Sequence, residues 1–463
     1  MSVVSQFLKE SDGKAFDSEH RRKIQFNIGK YDHSVDIGKA LIKDLPYLRK
    51  KTNYIKWKSI ENLEAYLLEF ERNFTARGGK VIWARNADEA NTEILKIFQK
   101  HQASQAVKSK SMVTEEIHLN KAMKDHGIDV LETDLGEFIV QLRNEAPYHI
   151  VTPAMHLSKE DIALTFHEKF GLPINSTPQE IAAFARKILR DKYLESAIGI
   201  TGVNFLLAKE GGMAMTENEG NGRLSFGYPK VHIAIAGIEK IIPSMNDLNL
   251  FWPMLGIHGT GQFVTVYNSL VFGPKQSKES DGPEEMYVIL LDNGRTEILA
   301  KPEARQSLYC IRCGACLNAC PVYKNIGGHT YGTTYAGPIG AVISPHLNGM
   351  KEAGHLSYAS SLCGNCTEVC PVNIELHKIL LTNRKEYVEN QFSTSTERLT
   401  WKIWKKAMLN RSWMNQGSAS VKNFVFRHLA KSVWGNRRNP IHFAEMSFHE
   451  LWKAERGFQD ENS

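Results

Sequence analysis

Two stretches decide how this chain is read: Cys310-Ile311-Arg312-Cys313-Gly314-Ala315-Cys316-Leu317-Asn318-Ala319-Cys320-Pro321, and Ser360-Ser361-Leu362-Cys363-Gly364-Asn365-Cys366-Thr367-Glu368-Val369-Cys370-Pro371. They contain all seven cysteines of a 463-residue sequence. The first is Cys-x2-Cys-x2-Cys-x3-Cys-Pro, the spacing of two-cluster bacterial ferredoxins. Three thiolates two residues apart on a tight loop can wrap three corners of an iron cubane. The fourth, three residues on, points away, opens a short helix and serves the other cluster; the proline after it suits a helix start. A structural zinc site more often pairs two Cys-x2-Cys knuckles, which a triple knuckle ending in Cys-Pro does not match. The crossover assigns Cys310, Cys313, Cys316 and Cys370 to cluster one, and Cys320, Cys363 and Cys366 to cluster two. The expected first ligand of cluster two falls on Ser360. Either Ser360 or another oxygen completes that cluster, or one iron is open to water, or the cluster has three irons.

Outward from these motifs, the composition is that of a folded globular chain, with 42% hydrophobic and 23% charged residues. The formal net charge of +6 is carried by positions 391–463, with 12 Lys/Arg against 6 Asp/Glu; the first 390 residues balance. This argues against a nucleic-acid surface spread over the whole molecule. No apolar run reaches the roughly 18 residues that span a bilayer. The N-terminus shows no cationic segment followed by an apolar one, so no secretory signal is expected and the chain reads as cytoplasmic, where thiols stay reduced.

Residues 1–58 read as a basic, partly helical segment broken at Pro46, with nothing suggesting chemistry. Over 59–300 helices and strands alternate. Helices are expected at Ser59–Arg77, Asp88–His101 and Thr114–His126. Strands are expected at Lys80–Ala84, Gln105–Met112 and Asp129–Leu135, with β-rich stretches at Lys230–Ile242, Gln262–Phe272 and Glu285–Leu291. Thr177-Pro178-Gln179-Glu180 has a helix-start pattern with a capping box. The alternation predicts an α/β domain with a largely parallel sheet. Residues 301–389 form an α-helical two-cluster, ferredoxin-like domain. Its glycine-rich stretch Gly327–Gly340 is read either as a connecting loop or as backbone brought close to cluster sulfurs.

Residues 390–463 form a basic helical region with five of the eight tryptophans: Trp401, Trp404, Trp413, Trp434 and Trp452. No acid occurs between Leu399 and Arg438, and Trp401, Trp404 and Met408 share one helical face. Such a helix can lie peripherally on an anionic membrane, dock on an acidic partner, or pack on its own protein. Lys108-Ser109-Lys110-Ser111, before a helix, could grip an anion. Neither Gly211-Gly212 nor Gly259-Thr260-Gly261 makes a dinucleotide fingerprint.

Five stretches, in this order, carry a resemblance: TEEIHLN (Thr114–Asn120), ETDLGEFIVQL (Glu132–Leu142), CIRCGACLNACPVY (Cys310–Tyr323), GGHTYGTTYAGPIGA (Gly327–Ala341) and LCGNCTEVCPV (Leu362–Val372). With the basic tail, the chain resembles the iron–sulfur proteins of bacterial L-lactate utilization, the lactate utilization protein B family, over nearly its full length. The resemblance implies electron transport during oxidation of L-lactate to pyruvate in a three-protein system, with partner subunits as electron donor and acceptor. It also implies two [4Fe–4S] clusters and an α/β domain of the sugar-isomerase and coenzyme A-transferase type. Thr216-Glu217-Asn218 is similar to the Ser-Glu-Asn-Gly stretch of coenzyme A-transferases, whose glutamate is a nucleophile, but here Glu219 stands before Gly220. No residue is assigned a catalytic role, and the flavin or other chemistry at lactate is expected on a partner. Glycolate-type oxidase subunits and an iron–sulfur sensor or scaffold are the alternative readings.

Overall fold

Val231–Gly237 has no solvent-facing side: all seven residues are buried. A nearly continuous apolar run of this kind suits the middle of a parallel sheet covered on both faces. In the computed structural model, which describes residues 2–414, 416–428, 435, 438–439 and 441–460, it is the third strand of a six-stranded sheet. The strands in chain order are β1 (Lys80–Ala84), β2 (Gln105–Lys108), β3 (Asp129–Glu132), β4 (Ile198–Gly202), β5 (Phe205–Leu207), β6 (Gly212–Glu217), β7 (Val231–Gly237), β8 (Ile241–Ile242), β9 (Tyr267–Val271) and β10 (Glu285–Leu291). The large sheet has the order β1-β10-β7-β4-β2-β3, every neighbouring pair parallel, with Val231 opposite both Ile198 and Glu285. A smaller sheet, β8-β5-β6-β9, lies beside it.

Side chains alternate across the large sheet. Ile233, Ile235, Ile289 and Leu291 pack with Ile94, Phe98 and Met123 on one face. Ala234, Ala236, Val288 and Leu290 join a second core on the other face, which also contains the small sheet, Ile24 and Ile28 near the N-terminus, and the cysteine segment through Leu317, Tyr323 and Leu380. Each such large side chain contributes about 1.5–3 kcal/mol on full burial. Residues on both sides of position 300 therefore share one interior, and Met1–Glu389 forms one compact unit; Asn390–Ser463 forms another.

β1 and β10 occupy the stretches that the apolar patterns predict, and Thr177 and Glu180 form the expected capping box of the helix Pro178–Glu195. Four expectations need correction. Pro46 does not interrupt a helix: it lies in the first turn of Leu45–Glu61, where its missing N–H costs nothing and Asp44 caps the amide of Tyr47. The helix expected from Ser59 is two helices, since that first one runs to Glu61 and Leu63–Thr75 follows Asn62. β2 stops at Lys108 and β3 at Glu132, because Ser111 and Asp134 cap the helices Met112–Glu116 and Leu135–Leu142. The helix expected over Thr114–His126 is divided by His118, which takes a left-handed conformation. No helix among the described residues is long and apolar enough to cross a membrane.

Candidate metal centre

The two cysteine loops repeat the same backbone. In the first, Arg312 and Gly314 are left-handed (φ 61° and 80°) on either side of Cys313. In the second, Leu362 and Gly364 are left-handed (φ 54° and 84°) on either side of Cys363. A short helix then carries the next cysteine: Ala315–Ala319 holds Cys316 and Asn365–Glu368 holds Cys366. Gly314 also admits close packing, since a Cβ there would stand 3.1 Å from Val151 and 3.2 Å from His149. Cys320 caps the helix Pro321–Ile326, its sulfur accepting from the amide of Tyr323 at 3.5 Å, as the Cys-Pro spacing predicts. Cys370-Pro371 leads instead into a turn, and the next helix starts only at Leu376.

Chain folding sorts the seven thiols into two electrostatic sets. Burial pushes Cys313 and Cys316 well above the ordinary thiol range. The thiolates of Cys310 and Cys370 add to this for both, and Cys313 adds to it for Cys316. Cys370 is pushed up to about 12, by burial first, with Cys310 again among its neighbours. Cys366 is pushed up to about 11 by burial and then by Cys320 and Cys363. Burial also raises Cys320, with Cys363 contributing, while the amide of Asn365 lowers Cys363. Cys310, Cys313, Cys316 and Cys370 thus feel one another, and Cys320, Cys363 and Cys366 feel one another. Cys370 is thus a neighbour of the first loop's sulfurs, and Cys320 of the second loop's.

Amide hydrogens point at the first set. Arg312 N–H donates to Cys310 at 3.4 Å and Ile374 N–H to Cys370 at 3.4 Å. The amide of Ile339 favours the thiolate of Cys316 from the first turn of the helix Gly337–Leu347. Gly337 (φ 68°) lets that helix approach, since a Cβ would stand 2.6 Å from Leu317. The glycine-rich stretch therefore brings backbone to a sulfur and is more than a connecting loop.

Residues 1–58 take part as well, although nothing in their sequence suggests chemistry. On the helix Leu45–Glu61, Arg49 donates to the carbonyls of Cys370 (2.9 Å) and Thr367 (3.2 Å). Thr52 donates to Pro371 and Asn53 to Val372, each at 2.7 Å. Such clamps depend on three-dimensional neighbours and leave no local spacing signal. Beside Cys310 lies a buried charge layer. Arg295 pairs with Glu239 (2.5 Å) and Glu116 (2.8 Å), Tyr335 donates to Glu116 (2.6 Å), and Arg312 lies 4.4 Å from the centre of the Tyr335 ring. Lys56 donates to the carbonyl of Glu239 at 2.5 Å. Burial lowers Lys56 to about 7 and Lys240 to about 8, and the Cys310 thiolate is one of the charges opposing that loss. Four basic side chains, Lys56, Lys240, Arg295 and Arg312, here face the carboxylates of Glu116 and Glu239.

A single zinc ion would need its thiolates drawn close together. Thiolates on a tetrahedral zinc stand about 3.8 Å from one another, given Zn–S bonds of about 2.3 Å. Among the described residues no three cysteine sulfurs lie within 4.8 Å of one another. The group of metal-type ligand atoms that does meet this limit, Glu115, Glu132 and Glu137, already holds the buried ammonium of Lys108, 2.5 Å from Glu132 and 3.3 Å from Glu115. Thiol sets that receive amide donors fit iron–sulfur clusters.

Residues 67–291 match the family profile described as LUD domain, and residues 306–374 match the 4Fe-4S dicluster domain. Lactate utilization protein B of Bacillus cytotoxicus is 47% identical over 343 residues, covering 74% of this chain and 72% of its own. That of Bacillus cereus strain AH820 is 44% identical over 365 residues, covering 79% and 77%. The chain belongs to the lactate utilization protein B family. A crystallised DUF162 family protein of Deinococcus radiodurans overlaps 50% of this chain and 98% of its own at 13% identity and a TM-score of 0.29, too loosely to carry structural weight.

In this member of the lactate utilization protein B family, the other candidate residues are occupied structurally. Glu217 accepts from the amides of Gly222 (2.6 Å) and Arg223 (2.8 Å), at the start of the helix Asn221–Gly227. Glu219 accepts from Leu135 at 3.1 Å. Lys108 is held in its carboxylate group and Lys110 donates to the carbonyl of Val151, so the stretch predicted to grip an anion spends both lysines internally. In the second unit Trp401 and Trp404 are exposed on Ser395–Leu409 with their rings 5.5 Å apart, and Trp413 and Trp452 are exposed. Trp434 lies outside the described residues.

Proposed function

We propose that this chain is an electron-transfer subunit in the oxidation of L-lactate to pyruvate. Cluster one would be held by Cys310, Cys313, Cys316 and Cys370, and cluster two by Cys320, Cys363 and Cys366. The observation that carries the reading is the repeated cysteine turn, left-handed on either side of Cys313 and of Cys363 and followed each time by a short helix that holds the next cysteine, with burial and neighbouring thiols acting on both loops in its support. Two [4Fe–4S] clusters, when bound, supply one-electron transfer, which a two-electron donor such as lactate requires if its electrons are to enter single-electron carriers. The protein's own residues do the rest. Burial of Cys313 and Cys370 keeps water from the first set, and the amides of Arg312, Ile339 and Ile374 stabilise added negative charge there. The exposure of Cys363 at the surface supports electron exchange with a partner subunit, donor or acceptor, through cluster two.

In this reading the large sheet belongs to a domain of the sugar-isomerase and coenzyme A-transferase type that performs no acyl transfer. Glu217, the residue that would have to attack, already holds two amides. The chain works in the reducing cytoplasm, where thiolates remain available as ligands. Its basic, tryptophan-bearing helix Ser395–Leu409 offers a peripheral membrane or acidic-partner contact. The test is anaerobic co-purification with the partner subunits, followed by addition of substrate. L-lactate should bleach the cluster absorbance while glycolate leaves it unchanged. Bleaching by glycolate alone, or by neither substrate, contradicts the proposal.

A further inference from the structure

The second cysteine loop has three cysteines where the first has four, yet its backbone leaves no gap at the missing place. Ser360 stands three residues before Cys363, as Cys310 stands three residues before Cys313. In the first loop the amide of Arg312 donates to the sulfur of Cys310 at 3.4 Å. In the second the amide of Leu362 donates to the hydroxyl oxygen of Ser360 at 3.1 Å. Both donors are the left-handed residues that precede the next cysteine. The two side-chain heteroatoms therefore take the same hydrogen bond in the same turn.

The serine is also held in place. Arg384, on the helix Leu376–Glu389, donates to the carbonyls of Ser357 (2.9 Å) and Ser360 (3.0 Å). Ser360 is half-buried beside the exposed Ser361 and Cys363. Arg384 thus fixes the backbone on which the Ser360 hydroxyl takes the place that the Cys310 sulfur has in the first loop.

We infer that the hydroxyl oxygen of Ser360 is the fourth ligand of cluster two. The inference rests on the two-cluster reading above. Ligation forms one iron–oxygen bond, displaces a water from that iron and releases the hydroxyl proton to the nearby solvent; no electron moves. The oxygen keeps the amide of Leu362 as donor, and an ionised acceptor strengthens that bond.

The experiment compares the full chain, reconstituted anaerobically, as wild type, Ser360→Ala and Ser360→Cys, by iron and sulfide content, Mössbauer spectra and electron paramagnetic resonance. The wild type should hold two four-iron clusters. Ser360→Ala should keep the first cluster unchanged, which also reports that the chain has folded. It should lose one iron from the second, with the resonance of an oxidised three-iron species. Ser360→Cys should return to four irons with an altered second-cluster spectrum. The inference is overturned if Ser360→Ala keeps both four-iron clusters with unaltered spectra. It is equally overturned if the wild type already has a three-iron second cluster that only Ser360→Cys completes. A wild-type chain that takes up no cluster sinks the two-cluster reading itself, and the ligand assignment with it.

Discussion

The two cysteine loops have one backbone and two environments. The first lies against the shared core, with Cys313 buried, amides from three directions and the cations Lys56, Lys240, Arg295 and Arg312 nearby. The second reaches the surface at Cys363 and has serine at its first position. What differs is therefore one ligand position and, around the sulfurs, the charge and the water. Those are the levers that set the potential of an iron–sulfur centre when the ligand geometry is held constant. A buried, cation-rich site favours holding an electron, and an exposed one favours exchanging it.

The most drastic way to break this comparison is to remove the crossed ligands. Cys370→Ala should abolish cluster one although the residue belongs to the second loop, and Cys320→Ala should abolish cluster two. Each should halve the iron content and leave the other cluster's resonance intact; damage confined to the mutated loop's own cluster would refute the crossover. Lys240→Met comes next. Removing a buried positive charge destabilises the more negative, reduced state. The potential of cluster one should fall by about 59 mV, a tenfold change for one electron, with cluster two unmoved in the same redox titration. Arg49→Ala removes two hydrogen bonds from a charged donor to the second loop. Each is worth about 1.5–3 kcal/mol, so unfolding measurements should show a loss of about 3–6 kcal/mol for the two, with faster release of iron. Glu217→Gln should have the smallest effect. Only a helix-start contact worth about 1 kcal/mol is weakened, and lactate-dependent bleaching should keep its wild-type rate.

Much of this comparison was legible before any coordinates, because ligand spacing is a local property. The Cys-Pro helix start at Cys320 and the place of Ser360 in the repeated turn follow from counting residues, and the crossover partners are expected from the same count. β7 and β10 were legible for a related reason, as apolar runs too long and uniform to face water. The positions missed are those decided at a distance. Arg49, Thr52 and Asn53 sit in a helix that looks unremarkable until it meets residues more than 300 positions away. Lys56 and Lys240 look like surface lysines until the fold buries them. His118 breaks a helix whose apolar pattern runs on through it.

Iron and acid-labile sulfide counts, joined to the Mössbauer spectrum of the anaerobically purified wild-type chain, decide whether the seven cysteines hold two clusters. The account expects about eight irons and eight sulfides per chain, in two four-iron clusters with distinguishable environments. A colourless chain containing zinc, or one whose iron forms a single cluster, would contradict it.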